Sequence, residues 1–231
     1  LKHACLQNKV ILNLHWIDAD NFDIDELSSL NGIVVPGGFG YRGIEGKISA
    51  IEYIRKNNIP FLGICLGLQC AVIEFARNVC GISDANSSEF SQNSKNPVID
   101  ILPNQNLEKD DIGASMRLGT YPCKVLTNTH AQAIYGNEIV YERHRHRYEV
   151  NNKYRKDLEA SGLVISGVSP DDDLIEMIEL KNHPFFVASQ FHPEFKSRPW
   201  EPAPMFNSFI KASKEMNIST EKIDDTTKVR D

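Results

Sequence analysis

The segment F-L-G-I-C-L-G-L-Q, residues 61–69, constrains this chain more than any other. An apolar run of strand character ends at Ile64, and from Leu66 the apolar spacing becomes that of a helix. Cys65 stands at the change, with Gly63 and Gly67 two residues to either side. A strand that turns straight into a helix leaves no room for bulky neighbours, so glycine is needed on both flanks. The layout is that of a nucleophile elbow, G-x-C-x-G in place of G-x-S-x-G. Such a turn presents Cys65 at a helix N-terminus, where partial positive charge favours a thiolate and lowers the thiol pKa. It also points the Leu66 amide outward, toward a developing oxyanion. The competing reading is a structural cysteine in an ordinary strand-to-helix turn, since free cysteine is often a small core residue. Cys5, Cys70, Cys80 and Cys123 lack this setting and read as structural.

Around the elbow, apolar runs alternate with helix-like segments, which predicts an α/β fold with a mostly parallel central sheet flanked by helices. Strands are expected at 10–14, 33–35, 60–64, 121–126, 139–150, 163–168, 174–180 and 185–190. Helices are expected at 25–30, 44–56, 66–79, 154–160 and 203–212. Ile44, Ile48, Ile51 and Ile54 show the helical spacing most clearly. Polar stretches at 83–96 and 103–111 read as surface loops, and 169–173 as a tight turn. The 231 residues are enough for one core without disulfides or a metal. That core is expected to run from about residue 9 to 213, with a disordered tail over 214–231. The chain begins with Leu1 in a helix-like segment, which predicts a piece of a longer protein whose upstream part is missing. Five cysteines without a C-x-x-C pair, and no secretory leader, suit a reducing cytoplasm. With 25 Lys and Arg against 31 Asp and Glu, the net charge is −6, which argues against nucleic-acid binding. No apolar run approaches the roughly 20 residues a membrane span needs.

A nucleophilic cysteine needs a base and usually a group that orients the base. Of seven histidines, His192 alone follows a long apolar run, F-F-V-A-S-Q-F, and precedes Pro193-Glu194. Proline keeps the residue before it extended. Residues two apart in an extended chain project to one side, so Glu194 reaches the far ring nitrogen of His192 and fixes its tautomer. The alternative is a surface histidine with a salt-bridging glutamate.

Two further segments bear on anion binding. In I-V-V-P-G-G-F-G, residues 33–40, Gly37 and Gly38 offer bare N–H groups after a strand; a phosphate loop or a plain turn competes. In E-R-H-R-H-R-Y, residues 142–148, Arg143, Arg145 and Arg147 recur at every second position and share one face if the segment is a strand. A solvated basic edge strand is the other reading.

With these residues in hand, the chain resembles the glutamine amidotransferase domain of the CTP synthase family. The motifs that carry this are P-G-G-F-G-Y-R-G, G-I-C-L-G-L-Q, N-S-S-E-F, M-R-L-G, E-R-H-R-H-R-Y-E-V-N and Q-F-H-P-E-F, in that order over residues 1–212. The G-x-C-x-G and H-P-E pieces are common to class I amidotransferases, whereas the first and fifth motifs are far more particular. The resemblance implies the class I fold, with Cys65 as nucleophile, His192 as base and Glu194 as its partner. It implies Gly38 and Leu66 as oxyanion-hole amides, and Gln69, Glu89 and Arg147 as groups holding glutamine together with Gly38 and Leu66. It implies an amidotransferase domain over 1–213 and no cofactor or metal within it. The parent enzyme would carry a synthetase domain using ATP and Mg2+, with GTP as activator near Phe39, Tyr41 and Arg42. A homo-oligomer, a tetramer or filament, is implied for the whole enzyme. Another class I amidotransferase, a γ-glutamyl hydrolase and a non-catalytic polymer-forming or regulatory domain remain as alternatives.

Overall fold

Alternate residues of one four-residue strand feed two different cores. The structure, a computed structural model, describes residues 1–101, 116–171 and 174–227, the last eleven of these as backbone only. Strand β1 (Ile33–Val35) and strand β2 (Phe61–Ile64) lie side by side near one edge of a seven-stranded sheet. Phe61 points into an apolar cluster with Ile51, Ile54, Leu68 and Val72, from helices α2 (Ile44–Lys56) and α3 (Leu66–Asn78). Leu62 and Ile64 point the other way, into a cluster with Ala4 and Cys5 of α1 (Lys2–Asn8) and with Met205, Phe206 and Phe209. The period of two along a strand thus places helices on both faces of the sheet.

The remaining elements in chain order are β3 (Ala85–Ser87), β4 (Asn96–Ile101), β5 (Arg117–Val125), α4 (His130–Tyr135), β6 (Ile139–His146), β7 (Tyr148–Val150), α5 (Arg155–Ala160), β8 (Val164–Val168), β9 (Ile175–Glu179), β10 (Phe186–Ser189) and α6 (Pro204–Thr227). The large sheet has the order β1-β2-β10-β9-β8-β5-β6, and a small sheet the order β3-β4-β7.

The α/β class is as expected, but the large sheet is mixed rather than mostly parallel. Only β1–β2 and β2–β10 are parallel pairs; β10–β9, β9–β8, β8–β5 and β5–β6 are antiparallel. The connections from β8 to β9 and from β9 to β10 are too short for the crossover that a parallel pair requires. The strand expected at 10–14 is absent, because apolar residues there do not find a sheet: Ile11 is 99 % exposed. The loop expected at 83–96 contains β3, and the strand expected at 139–150 breaks at Arg147 into β6 and β7, which join different sheets. The helix at 25–30 is a 3-10 helix, Ile24–Ser29, closed by a capping box between Asp23 and Glu26. The last helix runs past the expected end at 212 to Thr227, so the backbone is helical over much of the segment expected to be a disordered tail. The loop expected at 103–111 lies outside the described residues, as do residues 172 and 173 of the turn at 169–173 and the last four residues.

Candidate active site

The three strands of the large sheet that pair in parallel, β1, β2 and β10, end side by side. Val35 pairs with Gly63, and Ser189 pairs with Ile64. The chain therefore emerges from adjacent strand ends as Pro36-Gly37-Gly38, as Cys65 and as Gln190-Phe191-His192. This is the edge at which open α/β sheets hold their ligands.

Cys65 has φ 53° and ψ −103°, a conformation that costs a non-glycine residue energy and turns the chain sharply into α3. Its N–H donates to the Ser189 carbonyl at 2.7 Å, which ties the elbow to β10. The flanking glycines are required by close approach. A Cβ on Gly67 would lie 2.1 Å from the Val35 carbonyl oxygen, and one on Gly63 would lie 2.8 Å from Ala188 Cβ.

A Cβ built on Gly37 would touch His192 Cε1 at 2.7 Å and Cys65 Cβ at 3.5 Å. The His192 ring and the Cys65 side chain are thus neighbours beside the bare Gly37 backbone, while Sγ itself lies 4.0 Å from the Arg145 carbonyl oxygen. The His192 backbone N–H donates to the Arg143 carbonyl at 2.8 Å, anchoring the residue to β6, and its ring stacks on Phe195. Nδ1 of His192 is 2.7 Å from Glu194 Oε1. An ionised carboxylate only accepts, so Nδ1 carries the hydrogen and Nε2 holds a lone pair. Nε2 is buried and has no hydrogen-bond partner among the described residues. The expected contact is present, but Glu194 makes it from a 3-10 turn, Pro193–Lys196, rather than from an extended strand.

The helix N-terminus does not leave a resting thiolate, contrary to the sequence expectation. Burial pushes the Cys65 thiol up to about 12; the Leu66 amide works against this, while Glu149, Glu194 and Glu89 add to it. Eleven of the thirteen α3 residues are buried, so the cost of desolvating a charge exceeds what one helix end returns. Gln190, whose Nε2 is 3.7 Å from Sγ, is a further donor to the sulfur that residue-by-residue sequence reasoning passed over.

Beside Cys65 lies a cavity of about 310 Å³, lined among others by Gly38, Gln69, Glu89, Arg145, Arg147 and Tyr148. The three residues expected at a glutamine site, Gln69, Glu89 and Arg147, thus line the same cavity despite their distance in sequence. Glu89 accepts from the Gly40 N–H at 3.0 Å and so joins the glycine loop to the cavity lining, while Gln69 Nε2 donates to the Tyr148 carbonyl at 3.0 Å. Leu66 packs against Gly38, with Leu66 Cδ2 3.1 Å from where a Gly38 Cβ would be. The three arginines do not share one strand face: Arg143 and Arg145 project outward from β6, and Arg147 sits at the bend after it. Phe39 is separated from Tyr41 and Arg42. Phe39 lies at the cavity over Arg145, Tyr41 lines a separate depression of about 490 Å³ with Phe22 and Glu45, and Arg42 pairs with Asp20 at 3.7 Å. No cysteine or histidine is among the residues lining that larger depression. Among the described residues no group of three His, Cys, Asp or Glu is placed to hold a metal ion, and no helix is long and apolar enough to cross a membrane.

Residues 1–212 match the family model described as glutamine amidotransferase class I. The CTP synthase of Caldanaerobacter subterraneus subsp. tengcongensis is 58 % identical over 223 residues, which cover 95 % of this chain and 41 % of that protein. The CTP synthase of Carboxydothermus hydrogenoformans is 58 % identical over 221 residues, with coverages of 94 % and 41 %. The chain therefore spans about two-fifths of the length of these curated relatives. Among solved structures, the glutaminase domain of Trypanosoma brucei CTPS with bound acivicin superposes with a TM-score of 0.88 at 40 % identity, covering 93 % of this chain and 85 % of that one. A glutamine amido transferase of Methylobacillus flagellatus shares the fold, with a TM-score of 0.54 at 12 % identity, covering 83 % of this chain and 63 % of that one.

Proposed function

The chain belongs to the glutamine amidotransferase class I family, and we propose that it is the glutamine-hydrolysing part of a CTP synthase in which Cys65, His192 and Glu194 do the chemistry. The observation that carries this reading is the convergence of Gly37-Gly38, Cys65 and His192 from three adjacent parallel strand ends beside one cavity.

The Cys65 proton passes to His192 Nε2 as the sulfur attacks the side-chain amide carbon of glutamine. Because burial pushes the thiol pKa up, the sulfur needs His192 to take its proton before or as it attacks. The Gly38 and Leu66 amides receive the tetrahedral oxyanion; one such donor is typically worth about 3–4 kcal/mol. The His192 imidazolium, kept oriented by Glu194, then protonates the departing nitrogen and ammonia leaves. What remains is a γ-glutamyl thioester on Cys65. Water, deprotonated by His192, attacks the thioester carbon, and glutamate and the thiol are released. Gln69, Glu89 and Arg147 hold the amino and carboxylate end of glutamine in the cavity.

The amidotransferase unit covers 1–213 in this reading. The relatives' greater length supports a synthetase part on the same polypeptide, which would take the ammonia to convert UTP to CTP with ATP and Mg2+ under GTP activation. A cytoplasmic homo-oligomer is the setting that goes with it. The test is covalent trapping. Acivicin, the ligand of the T. brucei relative, is incubated with the protein, and the adduct is mapped by mass spectrometry. Cys65 is expected to carry the label, and free glutamine to protect it. Labelling elsewhere with Cys65 free overturns the assignment.

A further inference from the structure

Four buried ionisable side chains that the mechanism does not use, His144, His146, Glu149 and Glu176, gather around the half-buried Arg117 beside the cavity, which His146 lines; the five come from four strands. Arg117, on β5, places Nη1 3.1 Å from Glu149 on β7 and Nη2 2.8 Å from Glu176 on β9. Its guanidinium also covers the Tyr121 ring at 4.7 Å. His146 Nδ1 is 3.3 Å from Glu149, and His146 Nε2 is 2.8 Å from His144 Nδ1.

The topology gives this cluster its meaning. Strands β5 and β9 belong to the large sheet, whereas β7 belongs to the small one. One guanidinium therefore joins the two sheets. The chain passes between them at Arg147, the bend that follows β6, and the residues around that bend, Arg145 to Tyr148, line the cavity together with Cys65, whose Sγ lies 4.0 Å from the Arg145 carbonyl oxygen. The β5–β6 ladder ends at the pair Arg117–His146, so backbone pairing to the large sheet stops one residue before Arg147. Past that point β7 pairs with β4 of the small sheet, and Gln69 reaches back to the Tyr148 carbonyl. Beside the His146–Glu149 contact, the Arg117 clasp is a side-chain link that ties the small sheet to the sheet bearing the nucleophile.

The charges suit a lock of this kind. Burial keeps both histidines neutral, down to about 2 for His144 and about 3 for His146. One guanidinium then faces two carboxyls, and burial pushes Glu149 up to about 8, so a proton completes the balance. Burying such a set costs more than an apolar filling of the same volume, and a fixed registry is the best-attested return for that cost.

We propose that Arg117 is a positioning residue for glutamine: by clasping Glu149 to Glu176 it sets the distance between the Arg147 bend and Cys65. The proposal rests on the assignment of Cys65 and Arg147 to the glutamine site made above. The test uses the full chain with Arg117→Met and Arg117→Lys. Glutaminase kinetics are measured beside the rate at which iodoacetamide, which has no amino-acid end to be held, alkylates Cys65. Arg117→Met is expected to raise KM for glutamine at least tenfold, with kcat and the iodoacetamide rate changed less than threefold. Arg117→Lys, which keeps the charge but cannot span both carboxyls, is expected to raise KM several-fold. If the methionine variant fails to fold, the lysine variant decides on the same terms. An unchanged KM in a folded variant overturns the proposal, as does an iodoacetamide rate that falls in step with glutamine turnover. A wild-type protein that neither hydrolyses glutamine nor reacts with acivicin overturns instead the glutamine-site assignment beneath it.

Discussion

Replacing Gly67 by alanine sets two effects of opposite sign against each other. Gly67 is the second residue of α3. Exchanging a helical glycine for alanine ordinarily stabilises by up to about 1 kcal/mol. Here the new methyl carbon would stand 2.1 Å from the Val35 carbonyl oxygen, 3.0 Å from the Val35 carbonyl carbon and 3.3 Å from Val35 Cβ. Even close carbon–oxygen contacts lie at roughly 3.3 Å, so β1 must retreat by about 1 Å. Val35 is held by its pairing with β2 and packs into the larger core, and forcing an extra methyl into such a site costs about 1–3 kcal/mol. With backbone rather than a flexible side chain in the way, the upper end applies, and the net loss is about 2 kcal/mol. For a chain of this size that lowers Tm by about 4–8 °C in a calorimetric or circular-dichroism melt. The same retreat drags Pro36-Gly37-Gly38, which follow Val35 directly, away from Cys65. A 1 Å misplacement at a reacting centre costs about a hundredfold in rate, so glutaminase kcat should fall by that order even in the fraction that stays folded. A Gly67→Ala protein that melts at or above the wild-type temperature and turns over glutamine at the wild-type rate refutes the reasoning on both counts.

Two further outcomes are expected. His192→Ala should lower glutaminase kcat by about 10⁴-fold, the upper range for a lost acid–base group, whereas Glu194→Gln, whose amide oxygen still accepts from Nδ1–H, should cost only about 10–100-fold; full activity in either variant contradicts the triad. Glu149, held up to about 8 in the folded chain against 4.5 for an ordinary glutamate, keeps its proton on folding across that window, so this group withdraws stability as pH rises from about 4.5 to about 8, by at most about 1.4 kcal/mol per pH unit. Glu149→Gln removes that slope, and guanidinium titrations at pH 5, 6.5 and 8 should show the variant gaining on wild type as pH rises; a difference that does not change with pH refutes the shift.

What the sequence makes legible follows the range of the physics involved. The elbow at Cys65 is readable because its requirement is local: a strand, a helix and two glycines that must yield to Val35 and Ala188. The His192–Glu194 contact is likewise local, a matter of two residues, and it survives even though the backbone between them is a 3-10 turn. Strand direction is not local. The alternation of strands and helices up to residue 79 yields the parallel pair β1–β2, but beyond it antiparallel strands joined by short turns have the same apolar pattern as the parallel β10. Burial is not local either: Ile11 and Trp16 have the composition of a strand and lie open to solvent. Glu89 and Gln69 carry no signal of their own as single residues, and only the family motifs single them out. Arg117, in M-R-L-G, carries no signal of its own in the sequence, because its two carboxylates come from β7 and β9.

The charge on Cys65 is where local and tertiary effects collide, and their balance has a mechanistic consequence. A helix end acts over one turn and is worth typically about 0.3–1 kcal/mol, while removing a thiolate from water acts through every shell of α3 packed around it. The tertiary effect is larger, and the resting group is a thiol. In the proposed mechanism, a nucleophile kept neutral until a base takes its proton gains reactivity only when three things coincide: His192 Nε2, which has no partner among the described residues, accepts the proton, an amide carbon is in reach, and the Gly38 and Leu66 amides receive the oxygen that becomes charged. The same desolvation that suppresses the standing thiolate strengthens those donors, because both are consequences of a dry site. The features that raise the thiol pKa and those that stabilise the oxyanion are therefore one design, and the strand ends that carry Gly38, Cys65 and His192 to a common point are what allow burial to serve both.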